Sequence, residues 1–124
     1  MRLLIVDDVA AVREALRLLL SEEPSIEVVG EAADGEEALL RAAALHPDLV
    51  LLDLEMPRLG GLAAIPRLRA QPHPPQIVAM SMYGADDDAR TRALAAGATT
   101  YVEKGASLQE VVAALRNALP PAAL

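Results

Sequence analysis

The sequence has 124 residues, 53% of them apolar, with no cysteine, no Phe or Trp, and a net charge of 11 − 18 = −7. A chain of this size forms one domain that buries roughly two-thirds of its unfolded surface. The acidic balance argues against a nucleic-acid surface within the chain, the absence of cysteine removes disulfides and thiolate metal sites, and no apolar run reaches the roughly 20 residues of a membrane span. The first residues read as a strand rather than a charged-then-apolar signal segment, so the expected location is the cytoplasm.

Arg2 to Val6 reads as a short buried strand followed by the acidic pair Asp7-Asp8. From Val9 the apolar residues Val12, Leu16, Leu19 and Leu20 recur at helical spacing, and Pro24 closes that helix. Ile26 to Ala32 is a second, β-branched strand. Asp34 is an N-cap with Glu37 three residues on, opening a helix that runs to about Leu45 before His46-Pro47. Leu49-Val50-Leu51-Leu52-Asp53 is the third strand: four apolar residues without a polar break, then a carboxylate. Such a run suits a strand buried on both faces of a parallel sheet.

After Met56-Pro57, Gly60-Gly61 precede a helix ending near Ala70, in which Pro66 should introduce a kink or delay the start. Gln76 to Met80 is a fourth strand ending at Ser81. Asp86 to Ala96 is an Ala-rich helix, begun by the acidic triplet Asp86-Asp87-Asp88 and closed by Gly97 at C′. Thr99 to Val102 is the fifth strand, followed by Glu103-Lys104-Gly105. Ser107 and Glu110 form a capping box, and Leu108, Val111, Val112, Leu115 and Leu119 give the last helix its apolar stripe. The expected domain covers residues 1–119, with 120–124 as the start of a linker or tail.

Strand and helix alternate five times, the pattern of a doubly wound α/β parallel sheet in the order 2-1-3-4-5. That order brings Asp7, Asp8, Asp53, Ser81 and Lys104 to one rim of the sheet, at the strands' carboxyl ends. Three carboxylates at about 4 Å, with an effective dielectric near 20, repel by roughly 4 kcal/mol per pair. A hard divalent cation would offset this, and Mg²⁺ takes one or two carboxylates and often shares a phosphate. Lys104 adds an ammonium and Ser81 a hydroxyl. Such a site can hold a phosphoryl group on a carboxylate nucleophile. Ten basic residues are Arg and only Lys104 is Lys, so the compact ammonium is used where a point contact to a phosphoryl oxygen is needed. The two aromatics, Tyr83 and Tyr101, flank the same site. His46 and His73 sit beside prolines in loops with no second ligand at metal spacing and read as incidental.

Asp7-Asp8 after the first strand, Asp53 with Met56-Pro57, Ser81, and Tyr101-Val102-Glu103-Lys104 closely resemble the receiver domain of two-component response regulators. Ala96-Gly97-Ala98 and Lys104-Gly105-Ala106-Ser107 look most like receivers that carry a LuxR/NarL-type helix-turn-helix output domain. The resemblance implies a flavodoxin-like (CheY-like) (βα)5 fold with Asp53 as the phosphoacceptor for a sensor histidine kinase. It implies Mg²⁺ held by Asp8, Asp53 and the backbone carbonyl of Glu55, with Asp7 assisting through water. Lys104 and Ser81 would contact the phosphoryl oxygens. Ser81 and Tyr101 would switch the face formed by the fourth helix, fifth strand and fifth helix, while Glu55 and Tyr83 would tune the lifetime of the acyl phosphate. Homodimerisation on phosphorylation and DNA contact only through an attached domain are further expectations, with no membrane partner. The chain is then a switch that assists its own phosphorylation and dephosphorylation, not an enzyme with a separate substrate. Departures from the family pattern are Gly60 where an acid is common, Pro66, and Gly105 in place of a cis proline, so that a trans Lys104-Gly105 bond is expected.

Three other readings compete. A phosphatase working through an aspartyl-phosphate would show Asp-x-Asp at the nucleophile, whereas Asp53-Leu54-Glu55 stands here. A nucleotide- or flavin-binding module needs a Gly- or Ser-rich loop after the first strand, and Asp7-Asp8-Val9-Ala10 has none. A phosphorylation-independent pseudo-receiver would not need the full set of acid, hydroxyl and amine groups.

Overall fold

The computed structural model describes residues 1–56, 58–81 and 87–119. Its order is β1 (Arg2–Val6), α1 (Ala10–Leu20), β2 (Glu27–Ala32), α2 (Gly35–Leu45), β3 (Leu49–Asp53), α3 (Gly61–Arg69), β4 (Gln76–Ser81), α4 (Asp87–Ala96), β5 (Thr100–Glu103) and α5 (Leu108–Ala118). The strands form one parallel sheet in the order β2-β1-β3-β4-β5, as the alternation predicts. Val6 lies opposite Leu52, Asp53 opposite Met80, and Ser81 opposite Glu103, so the carboxyl ends of β1, β3, β4 and β5 are level. A register shift between Leu3 and Leu4 occurs in the β1–β2 pairing and not in the β1–β3 pairing.

Alternation along each strand divides the core between the two faces of the sheet. One layer joins Leu4, Val6, Val50, Leu52, Ile77 and Ala79 to the α2–α3–α4 side, where Ala38, Ala42, Ala64, Ile65, Leu68 and Ala93 meet them. The opposite layer joins Leu3, Ile5, Leu49, Leu51, Val78 and Met80 to Leu20 and the Val111, Val112, Leu115 and Ala118 face of α5. Burying side chains on both faces is what the unbroken apolar run of β3 anticipates, and all five of its residues are buried.

The caps follow the sequence. Asp34 accepts a hydrogen bond from the Glu37 amide and Ser107 one from the Glu110 amide, so each begins its helix. Gly97 adopts φ +122°, which a side chain would oppose, and the helix stops there.

Two expectations change. Leu19, expected on the apolar stripe of α1, is 50% exposed, because the helix packs through buried Leu20 and half-buried Val12 and Leu16 and leaves Leu19 on the solvent flank. Pro66 does not delay α3, which starts at Gly61 and continues through it to the bond from the Ala70 amide to the Pro66 carbonyl. Pro66 lies on the solvent side of this short helix, so the carbonyl it leaves without an amide partner is on the wet face. The acidic start of the fourth helix at Asp86, the residue Pro57 and the 120–124 tail lie outside the described residues.

Candidate functional site

The level strand ends turn a linear pattern into a cluster. Asp7 follows the last residue of β1, Asp53 ends β3, and both are fully buried, as is Ser81 at the end of β4. Lys104 follows β5, and its amide donates to the Ser81 carbonyl, which fixes the β5 exit against β4. From there its Nζ reaches 3.0 Å from Asp53 Oδ2 and 3.1 Å from Asp7 Oδ2. The Asp53 contact is a hydrogen bond, whereas Asp7 Oδ2 has no hydrogen-bond partner of good geometry and is held by charge alone. Among the described residues, no peptide bond is cis, so the Lys104–Gly105 bond is trans as expected.

Backbone amides aim the carboxylates. Asp7 Oδ1 accepts from the Val9 amide at 2.9 Å and Asp53 Oδ1 from the Glu55 amide at 3.0 Å. Each is a short turn closed by the amide two residues on, and the second oxygen of each group contacts Lys104. The Leu54 amide donates to the Met80 carbonyl, and Gly61 packs so tightly on Asp53 and Leu54 that a Cβ there would overlap the Asp53 carbonyl. The small residue at the start of α3 is thereby explained by close approach to the site strand.

Burial drives the electrostatics. Removal from water pushes the Asp53 carboxyl up to about 6, with repulsion from Asp7 in the same sense, and the hydrogen bonds from Lys104 and the Glu55 amide only partly offset this. Burial alone would lower Lys104, but its hydrogen bond to Asp53 and its charge pairing with Asp53 and Asp7 outweigh it and hold the ammonium above its ordinary range. Asp7, Asp8 and Asp53 each offer an oxygen within 4.8 Å of the others, with Asp8 exposed to the solvent. Hard oxygen donors in this number, one buried oxygen of Asp7 lacking a hydrogen-bond partner, and an open side at Asp8 fit a small divalent cation that keeps several waters.

Of the residues expected at the site, the structure brings Asp7, Asp8, Asp53 and Lys104 together, with Ser81 and Glu55 beside them. Tyr101 is buried in the α2–α4 layer, and its hydroxyl has no partner among the described residues. Tyr83 lies outside the described residues. Three contributors escape sequence reasoning. The Glu55 side chain, expected to act through its backbone and on water access, takes the Ser81 hydroxyl at 2.9 and 3.0 Å on its two oxygens. Arg13 donates to the Asp7 carbonyl at 2.7 Å while its Nε is held by Glu31 at 3.1 Å. Arg58, with φ +58°, pairs with Asp34 at 2.6 Å and, with the bond from the Gly35 amide to the Leu59 carbonyl, ties the β3–α3 loop to the start of α2. The Glu37 amide first, and Arg58 after it, hold the Asp34 carboxyl below the usual range. An arginine one turn into the helix after an acidic pair is the only linear signal among these.

Comparison with known proteins agrees with this fold. Residues 3–116 match the family model described as "Response regulator receiver domain". The chain is 43% identical over 115 residues to the response regulator GacA of Pseudomonas viridiflava, covering 93% of this chain and 53% of that protein. It is 48% identical over 105 residues to protein-glutamate methylesterase/protein-glutamine glutaminase 4 of Geobacter metallireducens, covering 83% of this chain and 30% of that one. Thus it spans about half, or less, of these relatives. Among solved structures it resembles the response regulator domain of Thermotoga maritima CheB, with a TM-score of 0.88, 31% identity and 95% of each chain covered. A LuxR-family two-component response regulator from Aurantimonas sp. SI85-9A1 superposes with a TM-score of 0.86 at 35% identity, covering 94% of this chain and 82% of that one.

Proposed function

The chain belongs to the response regulator receiver domain family, and from that premise we propose that Asp53 is its phosphoacceptor, charged by a phosphohistidine of a sensor histidine kinase. The observation that carries this is the contact of Lys104 Nζ with a fully buried Asp53 carboxylate, at 3.0 Å, beside two further carboxylates. A carboxyl at about 6 is mostly ionised at pH 7.5 and is a nucleophile. In the transfer, an Asp53 oxygen forms a bond to phosphorus as the imidazole N–P bond breaks, and the electron pair of that bond stays on the imidazole nitrogen. Lys104 follows the phosphoryl oxygens from its place on the carboxylate, and the Glu55 amide keeps Asp53 Oδ1 oriented. Asp7, Asp8 and Asp53 would hold Mg²⁺, with the Glu55 backbone carbonyl as a further ligand. When bound, the cation offsets the charge of the carboxylates and of the transferring group.

Ser81 and Tyr101 carry the change to the α4–β5–α5 face, with dimerisation as its readout. Output belongs to a domain that the chain does not span. The GacA and LuxR-family likenesses favour a DNA-binding helix-turn-helix, and the methylesterase relatives make an attached enzyme the second reading. No described helix is long and apolar enough to cross a membrane, and a cytoplasmic location goes with the histidine-kinase partner.

The test is intact mass after incubation with Mg²⁺ and acetyl phosphate, for wild type and Asp53→Asn together. One labile phosphoryl group on wild type, absent from the variant and absent without Mg²⁺, is expected. Wild type that stays unmodified, also with a competent phosphohistidine donor, overturns the reading in favour of a phosphorylation-independent interaction module.

A further inference from the structure

A hydroxyl group carries a single proton to donate. At Ser81, which is fully buried at the end of β4, that proton faces the Glu55 carboxylate, with both of its oxygens in range at 2.9 and 3.0 Å. Glu55 arrives there because its amide is fixed on Asp53 Oδ1 while its side chain crosses from the β3 exit to the neighbouring strand. The carboxylate thereby spans from the exit of β3 to the end of β4, and a phosphoryl oxygen on Asp53 would have to compete with it for the Ser81 proton. Lys104, the other group that would hold such an oxygen, faces Asp53 and Asp7. Glu55 is outside the Asp7–Asp8–Asp53 cluster, so its negative charge is directed at the hydroxyl rather than at the cation position.

We propose that the Glu55 carboxylate is an internal stand-in for the phosphoryl group: it occupies the Ser81 hydroxyl in the resting site and must let go before Ser81 can engage a phosphoryl oxygen. This deepens the phosphoacceptor reading and rests on it. Glu55 is thus a positioning residue that acts through Ser81 and sets a threshold for the switch. A site competent for only part of the time binds its ligand more weakly by that fraction. A hydrogen bond to a charged acceptor is strong enough to hold the competent fraction to about a tenth or less.

Beryllofluoride with Mg²⁺ is a non-covalent phosphoryl mimic and serves as the probe. Its affinity is measured for wild type, Glu55→Gln, Glu55→Met, Ser81→Ala and the Glu55→Met/Ser81→Ala double variant, with thermal melts confirming that each is folded. Expected is a gain of about tenfold in affinity for Glu55→Met and a smaller gain for Glu55→Gln, whose amide oxygen still accepts but carries no charge. With Ser81→Ala present, the Glu55→Met gain should collapse towards unity. An equal gain in both backgrounds would mean that Glu55 only repels anions, and would overturn the proposal; so would no gain with Ser81 intact. If wild type neither binds the probe nor accepts phosphoryl from acetyl phosphate, it is the phosphoacceptor reading that fails. The same double-variant comparison applied to the acetyl phosphate rate checks the result with a covalent readout.

Discussion

Leu52 and Asp53 are neighbours on β3 with the same exposure, zero, and opposite energetics. Burying Leu52 contributes about 1.5–3 kcal/mol. Burying Asp53 costs free energy, because raising its carboxyl from 3.8 to about 6 is worth about 3 kcal/mol against the ionised form. One peptide bond separates the interior, where every aliphatic layer stabilises the fold, from the rim, where stability is given up to hold charges together. Substitutions in the two regions should therefore differ in sign, and a rim that behaved like the interior would contradict the account of the site.

The largest effect is expected inside. Leu115→Ala empties a fully buried position between α5 and the sheet, and should lower stability by about 2–5 kcal/mol in urea unfolding. Asp53→Asn should act in the other direction. It removes the buried charge and its repulsion with Asp7, while Lys104 keeps Asp7 as a partner at 3.1 Å. In metal-free protein the variant should be more stable by about 3 kcal/mol at pH 7.5. The sign follows from a raised folded value: the contribution of protonated Asp53 is full below about 4 and is lost as pH climbs through about 6. The two unfolding curves should thus converge below about pH 4, draw apart between about pH 4 and 6, and run parallel above that. Convergence at high pH instead would show that Asp53 is not desolvated.

Smaller effects sharpen the picture away from both regions. Ser107→Ala removes the cap of α5 and should cost about 1 kcal/mol, measured against a Ser107→Asp control that restores it. Arg92→Ala removes an exposed pair with Asp88 on α4 and should change stability by less than about 0.5 kcal/mol. Among the described α4 side chains only Ala93 is buried, while α5 buries Val111, Val112, Leu115 and Ala118.

Most of this architecture was legible because local signals and tertiary demands coincide. The unbroken Leu49–Leu52 run, the caps at Asp34 and Ser107, and the stop at Gly97 each place an element boundary without knowledge of the rest. Strand order followed from alternation, and with it the meeting of Asp7, Asp53, Ser81 and Lys104. What stayed hidden depends on where a side chain goes after its backbone is placed. Glu55 could extend into solvent or across to Ser81, and Arg58 reaches Asp34 only because its own backbone takes a left-handed turn. Nothing in the order of residues encodes those choices. Pro66 and Leu19 show the related point that a local rule yields to solvent exposure: a proline on the wet side does not break a short helix, and a leucine on the flank of a stripe need not be covered.

Lys104 is the chain's only lysine, so apart from the α-amine every amine-directed chemistry has a single destination. Apart from the α-amine, an acylating reagent, an amine cross-linker or an aldehyde surface meets only the charge pivot of the site. The 16% exposure of that side chain and its tight hold on the proton should make it slow to react. Its acylation rate is then a direct optical or mass readout of how often Asp7 and Asp53 release it. The same chemistry defines what to avoid: a biosensor chip coupled through lysine would immobilise the protein by the group it is meant to report on.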